Sequence, residues 1–108
     1  MSGKPVVLSM QARQEIRQIT AWYRKEGGTK LALRWATSLE TAVRHIGNHP
    51  QAGSSRYADL LNLPGLRFWM PKRFPYLIFY LEHDTHIDIW RLLHAQRDIP
   101  AWMGELQA

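Results

Sequence analysis

The amino-acid sequence predicts an α+β fold, in which strand and helix patterns follow one another in the order β-α-α-β-β-β. Two amphipathic helical patterns occupy the first half of the chain, and three strand-like segments occupy the second half. A length of 108 residues is enough for one domain and too short for two independent cores. We therefore expect a single domain over residues 1–108. A helical hairpin should pack on one face of a mainly antiparallel four-stranded sheet, followed by a short C-terminal helix or tail.

The first half of the chain predicts one short strand followed by two helices. Val6–Leu8 is a β-branched run typical of a strand, and Ser9 stands where a helix N-cap belongs. Apolar residues then recur on one helical face as far as residues 27–28, a glycine pair. A second and longer pattern runs over residues 32–46 and ends at the glycine and proline of residues 47–50. Two such helices joined by a glycine turn form a helical hairpin.

The second half predicts a long loop and three strands. Residues 47–65 are rich in Gly, Pro, Asn and Ser, which predicts a loop with a short helical turn near residues 57–63. Period-two alternation, bounded by proline pairs and by polar turn residues, predicts strands at residues 66–70, 76–82 and 86–94. The last residues of the chain would then add the terminal helix or tail.

The alternation along these strands separates two faces. Leu77, Phe79 and Leu81 share one face of the middle strand, and both neighbours of Phe79 lie on the other. We expect the purely apolar face to pack on the helical hairpin. The opposite face would then be exposed and would carry Arg67, Trp69, Tyr76 and Tyr80.

The composition is that of a globular domain with a basic surplus. Fourteen Lys and Arg residues against nine Asp and Glu residues give a formal charge of +5 and an isoelectric point of about 10.0. Ten of these cations are arginines, whose planar guanidinium suits carboxylates and phosphates. Such a charge suggests an anionic partner, either a nucleic acid or an acidic protein segment.

Other classes of protein are disfavoured by what the sequence does not contain. Without cysteine there can be no disulfide framework, thiolate zinc site or cysteine nucleophile. Phosphate-loop and dinucleotide motifs are missing, no apolar run is long enough to span a membrane, and the first ten residues do not read as a signal peptide. His45 and His49 have helical spacing, but Gly47 and Pro50 favour a fraying helix end over a metal site. We expect no metal, cofactor or membrane.

One reaction remains chemically open, which is the metal-free cleavage of RNA. It needs a base for the 2′-hydroxyl, an acid for the leaving oxygen and cations for the phosphorane charge. The acid and the cations would come from basic residues of the sheet region, namely Arg67, Lys72, Arg73, Arg91 and His94. Bases would stack on the strand aromatics, namely Trp69, Tyr76 and Tyr80.

Each of these residues also has a structural interpretation. The aromatic residues would pack against a partner or against each other. Arg91 would be an edge arginine whose charged end reaches water, and His94 would form a hydrogen bond to the loop that follows it. Arg97 would pair with neighbouring Asp98. The first helix also carries a basic stripe, which is more often solvated than bound, at Arg13, Arg17 and Arg24.

Short sequence elements, taken together and in order, resemble the RelE/ParE superfamily of type II toxins over about residues 5–100, and more closely its ParE branch. The elements are Leu8-Ser9 with Ala12, Trp22-Tyr23, Gly28, His49-Pro50, Gly53, Gly65-Leu66-Arg67, Arg73, residues 76–80, Ile87, Ile89, residues 91–94 and Arg97-Asp98-Ile99. The resemblance implies a cytoplasmic bacterial toxin, held inactive in a hetero-oligomer by an antitoxin encoded beside it. The acidic C-terminal segment of such an antitoxin is disordered and folds on binding.

The two branches of the superfamily imply different targets. ParE-like members stall DNA gyrase on cleaved DNA and are not hydrolases, whereas RelE-like members cut messenger RNA in the ribosome. The RelE-like members resemble one another in a cluster of basic residues on the sheet and a His or Tyr near the C-terminus. This sequence has few basic residues in that cluster and no tyrosine after His94, so the resemblance favours gyrase inhibition. The alternatives are a ribosome-dependent endoribonuclease of RelE type and a non-toxic member that only binds its antitoxin.

The resemblance also implies which residues make these contacts. An endoribonuclease would use Arg67, Arg73, Arg91 and His94. The antitoxin would lie across the helical hairpin and the exposed sheet face, where it would touch Arg13, Arg17, Arg67, Trp69, Tyr76 and Tyr80. The target would be contacted by Arg73, Arg91, His94, Arg97 and Trp102.

Overall fold

The computed structural model describes residues 3–96, and these contain all four of the expected strands. The elements in chain order are strand β1 (Val6–Leu8), helical segment α1 (Met10–Asn48), a short 3₁₀ turn (Pro50–Ala52), and strands β2 (Arg67–Trp69), β3 (Tyr76–Glu82) and β4 (Ile87–His94). The expected C-terminal helix or tail lies outside the described residues, as do Arg97 and Trp102. No helix within residues 3–96 is both long and apolar enough to cross a membrane.

Gly28 divides α1 into two arms, residues 10–27 and 29–48. Its backbone has φ 78° and ψ −174°, a conformation outside the helical region that is almost confined to glycine. Across the break, the indole Nε1 of Trp35 donates a hydrogen bond to Thr20 Oγ1 at 3.0 Å. Residues 15 apart in one straight helix would be separated by about 22 Å. The arms therefore fold back on each other, which confirms the predicted helical hairpin.

The four strands form one sheet in the order β1-β4-β3-β2. β1 is parallel to β4, and the other two pairs are antiparallel, so the sheet is mainly antiparallel as expected. The α1 hairpin makes the crossover from β1 back to the sheet. Because β1 inserts beside it, β4 is a central strand, and the expectation that Arg91 is an edge arginine is wrong.

The face of the sheet that packs on the helices is the opposite of the predicted one. Tyr76, Ile78 and Tyr80 face α1 and share a core with Tyr23 and Trp35. Both faces of β3 are apolar enough to be buried, so alternation alone does not select the face that meets the helices. The aromatic core of the hairpin makes the choice, because the Trp35 ring packs 5.5 Å from the Tyr76 ring.

The other face of the sheet is covered by the long loop. Leu77, Phe79 and Leu93 form a second apolar cluster with the loop residues Leu61 and Leu66. Residues 56–62 of the loop form consecutive turns. They lie where the helical turn was expected, but they do not form a regular helix. The face expected to bind partners is thus buried under α1, and the loop covers the face expected to meet the helices.

Candidate functional site

Arg91 projects from the middle of β4 and pairs with Glu15 of the first helical arm. Its Nε donates to Glu15 Oε2 at 2.8 Å, and its Nη2 donates to the same oxygen. The arginine and glutamate side chains are only 8% and 16% exposed. A guanidinium neutralised in this way is poorly placed to stabilise charge on an external phosphate. The structure therefore gives Arg91 a role in holding α1 to the sheet.

A β-bulge lies next to this pair on β4, and the N-cap residue of the same helical arm forms a hydrogen bond to it. Phe79 pairs with Arg91 and Tyr80 pairs with Ile89, so the intervening residue Trp90 has no partner on β3. The Ser9 hydroxyl donates to the Trp90 carbonyl at 2.6 Å while accepting from the amide of Ala12 at 3.0 Å. Ser9 is therefore both the N-cap predicted from the sequence and a clamp on the bulge.

His94 ends β4 and has local partners. Its Nδ1 accepts a hydrogen bond from the backbone N–H of Gln96 at 3.1 Å, and its ring lies edge-on to Tyr76 with centroids 5.2 Å apart. With Nδ1 as acceptor, the neutral ring carries its proton on Nε2. This confirms the expected hydrogen bond to the loop that follows the strand.

Tyr80 is not a surface residue, contrary to the expectation that it lies on the exposed sheet face. It is 1% exposed, and its hydroxyl donates to the Pro50 carbonyl at 2.6 Å. Burial raises the pKa of the Tyr80 phenol, while a hydrogen bond to the Gly53 backbone and the Arg67 charge act in the opposite direction. Arg67 Nη1 in turn donates to the Gly53 carbonyl at 2.8 Å. Both side chains thus fix the start of the long loop.

Tyr76 and Trp69 also lie on the helix-facing side of the sheet. Tyr76 packs against Tyr23 and Trp35 of the hairpin. Burial raises the pKa of both Tyr23 and Tyr76. Trp69 is half-buried and stacks on the ring of His45 with centroids 4.1 Å apart. An aromatic sheet surface free for base stacking does not form from these residues.

Arg13 and Arg17 are exposed on the first helical arm. Within residues 3–96, no hydrogen bond, ion pair or ring contact joins them to Arg67, Trp69 or the strand tyrosines. Arg73 is exposed in the turn between β2 and β3, where its φ of 72° is unusual for a residue with a side chain. The predicted antitoxin set is therefore divided between two exposed helical arginines and a group of buried or half-buried sheet residues, namely Arg67, Trp69, Tyr76 and Tyr80.

A large concave surface, which the sequence did not reveal, runs along the second helical arm. It is a groove of about 1080 Å³ between that arm and the β2–β3 turn. Its floor and walls include Leu31, Leu33, Trp69, Met70 and Phe74. Four cations line it, namely Lys30, Arg34, Lys72 and Arg73, and no acidic residue of the described chain does. We call this surface the basic groove.

A helical spacing in the sequence marks one wall of this groove. Lys30, Arg34, Thr37, Thr41 and His45 recur at intervals of three or four residues, which places them on one face of the second arm. The residues in the middle of this face have small, polar side chains, so the hydrophobic periodicity of the sequence does not reveal it. The adjacent core face of Trp35 and Ile46 dominates the pattern instead.

The candidates for RNA cleavage do not form one reactive cluster. The Arg91 guanidinium is paired with Glu15, Arg67 holds a loop carbonyl, and His94 receives a backbone N–H. Arg73 lies in the groove instead. Within residues 3–96, no group of three or more His, Asp or Glu side chains is arranged to hold a metal ion. The arrangement suits binding through charge and apolar contact better than acid–base chemistry.

Comparison with known proteins agrees with this fold. The family model described as the ParE toxin of the type II toxin-antitoxin system parDE matches residues 6–99. A solved structure described as a chromosomal ParDE toxin-antitoxin system from P. aeruginosa superposes with a TM-score of 0.72 at 18% sequence identity. The match covers 86% of this chain and 97% of that one. No curated protein matches the sequence. Because the family model spans nearly the whole described domain, the chain belongs to the ParE toxin family of type II toxin-antitoxin systems.

Proposed function

We propose that this protein inhibits DNA gyrase and that an antitoxin with an acidic C-terminal segment neutralises it. The observation that carries the proposal is the ParE family match over residues 6–99. The basic surplus supports an acidic partner, because a +5 domain attracts negatively charged segments during encounter. We expect the toxin to act in the cytoplasm, where its antitoxin is made, and to rest as a toxin–antitoxin hetero-oligomer.

The geometry favours gyrase inhibition over the ribosome-dependent cleavage of messenger RNA. An endoribonuclease of this fold would need a cation and a proton donor free to face the substrate phosphate. Arg91 is neutralised by Glu15 in a buried pair. We therefore expect the exposed Arg73 and the half-buried His94 to contact the target directly. Arg97 and Trp102, which lie outside the described residues, would add further contacts. Arg91 would support these contacts from its buried position.

For the antitoxin, we propose that the exposed arginines Arg13 and Arg17 guide its acidic segment to the surface. Exposed charges of this kind act mainly on the association rate and lose their effect at high salt. The doubly reversed variant Arg13→Glu/Arg17→Glu should slow association at low ionic strength. An unchanged association rate there would contradict the placement of these two residues.

The test of the proposed function is expression of the toxin without its antitoxin. We expect growth arrest with induction of the DNA-damage response while bulk translation continues at first, and co-expression of the adjacent reading frame should restore growth. Immediate loss of translation with cleaved messages would instead establish the endoribonuclease. Normal growth, with tight antitoxin binding, would establish a non-toxic member.

A further inference from the structure

We propose that Trp22 is the anchor by which the toxin holds its target, and that the ring enters an apolar pocket on an acidic protein surface. This inference rests on the proposed function, in which the target is DNA gyrase. Trp22 would act together with Lys25, Arg73 and His94, and we call these four residues the tip surface.

The exposure of Trp22 distinguishes it from the other Phe, Tyr and Trp residues of the described chain. Trp22 is 54% exposed, whereas Tyr23 beside it is 8% exposed and Trp35 on the facing arm is fully buried. Large aromatic rings stabilise a fold by being buried, and an indole left in water forgoes most of that gain. Tryptophan is also among the residue types most enriched in interface hot spots. The exposed ring therefore fits a contact with a partner better than a role in the core.

Ring contacts place Trp22 near the β2–β3 turn. Its ring lies edge-on to that of Tyr23, with centroids 5.3 Å apart. The Tyr23 ring in turn contacts the ring of Phe74 at 5.1 Å, and Phe74 follows the exposed Arg73 in the turn. Trp22 itself does not line the basic groove, so its ring is open to a partner outside that groove.

The helical spacing also places Trp22 near the end of β4. Trp22 follows Glu15 by two helical turns and so lies on nearly the same face of the first arm, the face that pairs with β4 through Glu15. The ring of Tyr76 bridges the arm and the end of the strand, at 6.4 Å from Tyr23 and 5.2 Å from His94. The first arm, the β2–β3 turn and the end of β4 therefore meet at one end of the molecule.

The charges around Trp22 are mostly positive. The end of the hairpin and the β2–β3 turn, residues 22–30 and 71–76, contain five cations and one acid. Within residues 3–96 the cations are exposed and form no ion pair, and they are Arg24, Lys25, Lys30, Lys72 and Arg73. Lys25 lies about one helical turn beyond Trp22. An apolar ring flanked by cations complements an apolar pocket bordered by carboxylates.

The indole favours a protein surface over DNA as the occupant. The bases of duplex DNA are stacked on one another, so an exposed indole contacts them only where the duplex is unstacked. Contacts with phosphates need cations and gain nothing from an apolar ring. A protein pocket buries the ring directly, and hot spots of this kind lie in well-packed pockets with a polar rim. The cations of the tip surface would form that rim.

The test replaces Trp22 and, as a matched control, another exposed apolar residue of the same arm. Met10 is 76% exposed and lies about 18 Å from Trp22 along the arm. Trp22→Ala and Met10→Ala each remove an exposed side chain without opening the core. Circular dichroism and the affinity for the polypeptide encoded beside the toxin gene report whether each variant is folded. The readout is inhibition of supercoiling by purified gyrase.

We expect Trp22→Ala to raise the toxin concentration needed for half-inhibition by about tenfold or more, and Met10→Ala to change it by less than about twofold. Trp22→Phe keeps an aromatic ring and should restore part of the inhibition. Lys25→Glu should weaken inhibition by about threefold or more at low salt and by less at high salt. The affinity for the antitoxin should stay within about twofold in every variant.

The outcomes separate this inference from the proposed function. Inhibition by Trp22→Ala equal to that of the unmodified toxin would overturn the anchor and leave gyrase inhibition standing. A parallel loss of antitoxin affinity would assign Trp22 to the antitoxin contact or to the fold, and would also overturn the inference. Binding of the toxin to duplex DNA without gyrase, lost in Trp22→Ala, would replace the protein partner by DNA. Failure of the unmodified toxin to inhibit gyrase would overturn the proposed function, and the inference with it.

Discussion

Arg91 on β4 and Glu15 on the first arm of α1 form a buried ion pair that joins the helical hairpin to the middle of the sheet. The second carboxylate oxygen of Glu15, Oε1, accepts a hydrogen bond from the backbone N–H of Leu92 at 2.8 Å, beside the β-bulge. One carboxylate thus neutralises a buried charge and completes the hydrogen bonding of the interrupted strand. A residue that could serve catalysis by its chemistry is here part of the framework.

Removal of the Glu15 charge should destabilise the fold strongly. Glu15→Gln keeps the shape of the side chain but withdraws the carboxylate from Arg91, and breaking a buried pair costs about 3–5 kcal/mol in the free energy of unfolding. The matched control is Glu40→Gln, because Glu40 pairs with Arg44 on the exposed helix surface. That pair contributes about 0.5 kcal/mol at most. Urea denaturation of both variants measures the difference, and equal losses would contradict the framework role.

Ser9 should contribute more than an ordinary N-cap. Ser9→Ala removes the acceptor for the Ala12 amide and also the donor to the Trp90 carbonyl, so we expect a loss of about 2 kcal/mol, at the upper end for caps. Ser9→Thr keeps the hydroxyl and should recover most of this stability. If the alanine and threonine variants unfold at the same denaturant concentration, the clamp on the bulge has no energetic role.

Gly28 should be intolerant of a side chain even though space is available. Within residues 3–96, no heavy atom beyond the adjoining backbone lies within 4 Å of a Cβ built there, but the φ of 78° is strained for any L-residue. We expect Gly28→Ala to lower the free energy of unfolding by about 1–3 kcal/mol through backbone strain alone. Thermal unfolding followed by circular dichroism measures this. An unchanged or raised melting temperature would mean that the turn between the arms adopts another conformation.

The buried tyrosines should make the fold sensitive to alkali. Burial raises the pKa of Tyr23, Tyr76 and Tyr80 above the value of 10.0 that applies in the unfolded chain. Their neutral forms are therefore favoured in the folded state. The resulting stability is fully present below about pH 10 and is lost as the pH rises through the folded-state values.

Denaturant titrations across the alkaline range test this pH dependence. Tyr80→Phe should reduce the alkaline loss of stability, because the phenol that must ionise on unfolding is gone. The variant should also be less stable at neutral pH by about 1 kcal/mol, since the hydrogen bond to Pro50 is lost. A pH profile identical to that of the unmodified protein would show that Tyr80 does not titrate on unfolding.

The elements of this fold follow from local patterns in the sequence, whereas its packing does not. Ser9 and Gly28 mark the helix start and the hairpin turn because capping and positive φ are local requirements. The side of the sheet that meets the helices does not follow from the alternation, since both faces of β3 are apolar. The pairing of Glu15 with Arg91 joins residues 76 positions apart, and no local spacing signals it.

The candidate site, like the fold, is only partly predictable from the sequence. The basic character and the resemblance to ParE toxins were readable from the sequence, and the family match bears out the resemblance. The basic groove was not readable, because the turn that carries Lys72 and Arg73 meets the second helical arm only in the folded chain.

The most direct test of gyrase inhibition is a supercoiling assay with purified gyrase, relaxed plasmid, ATP and the purified toxin. The account predicts that the toxin blocks supercoiling in a dose-dependent manner and that linear DNA accumulates after the trapped enzyme is denatured. Addition of the polypeptide from the adjacent reading frame should restore supercoiling. Undiminished supercoiling with no cleaved DNA at excess folded toxin would contradict the central claim.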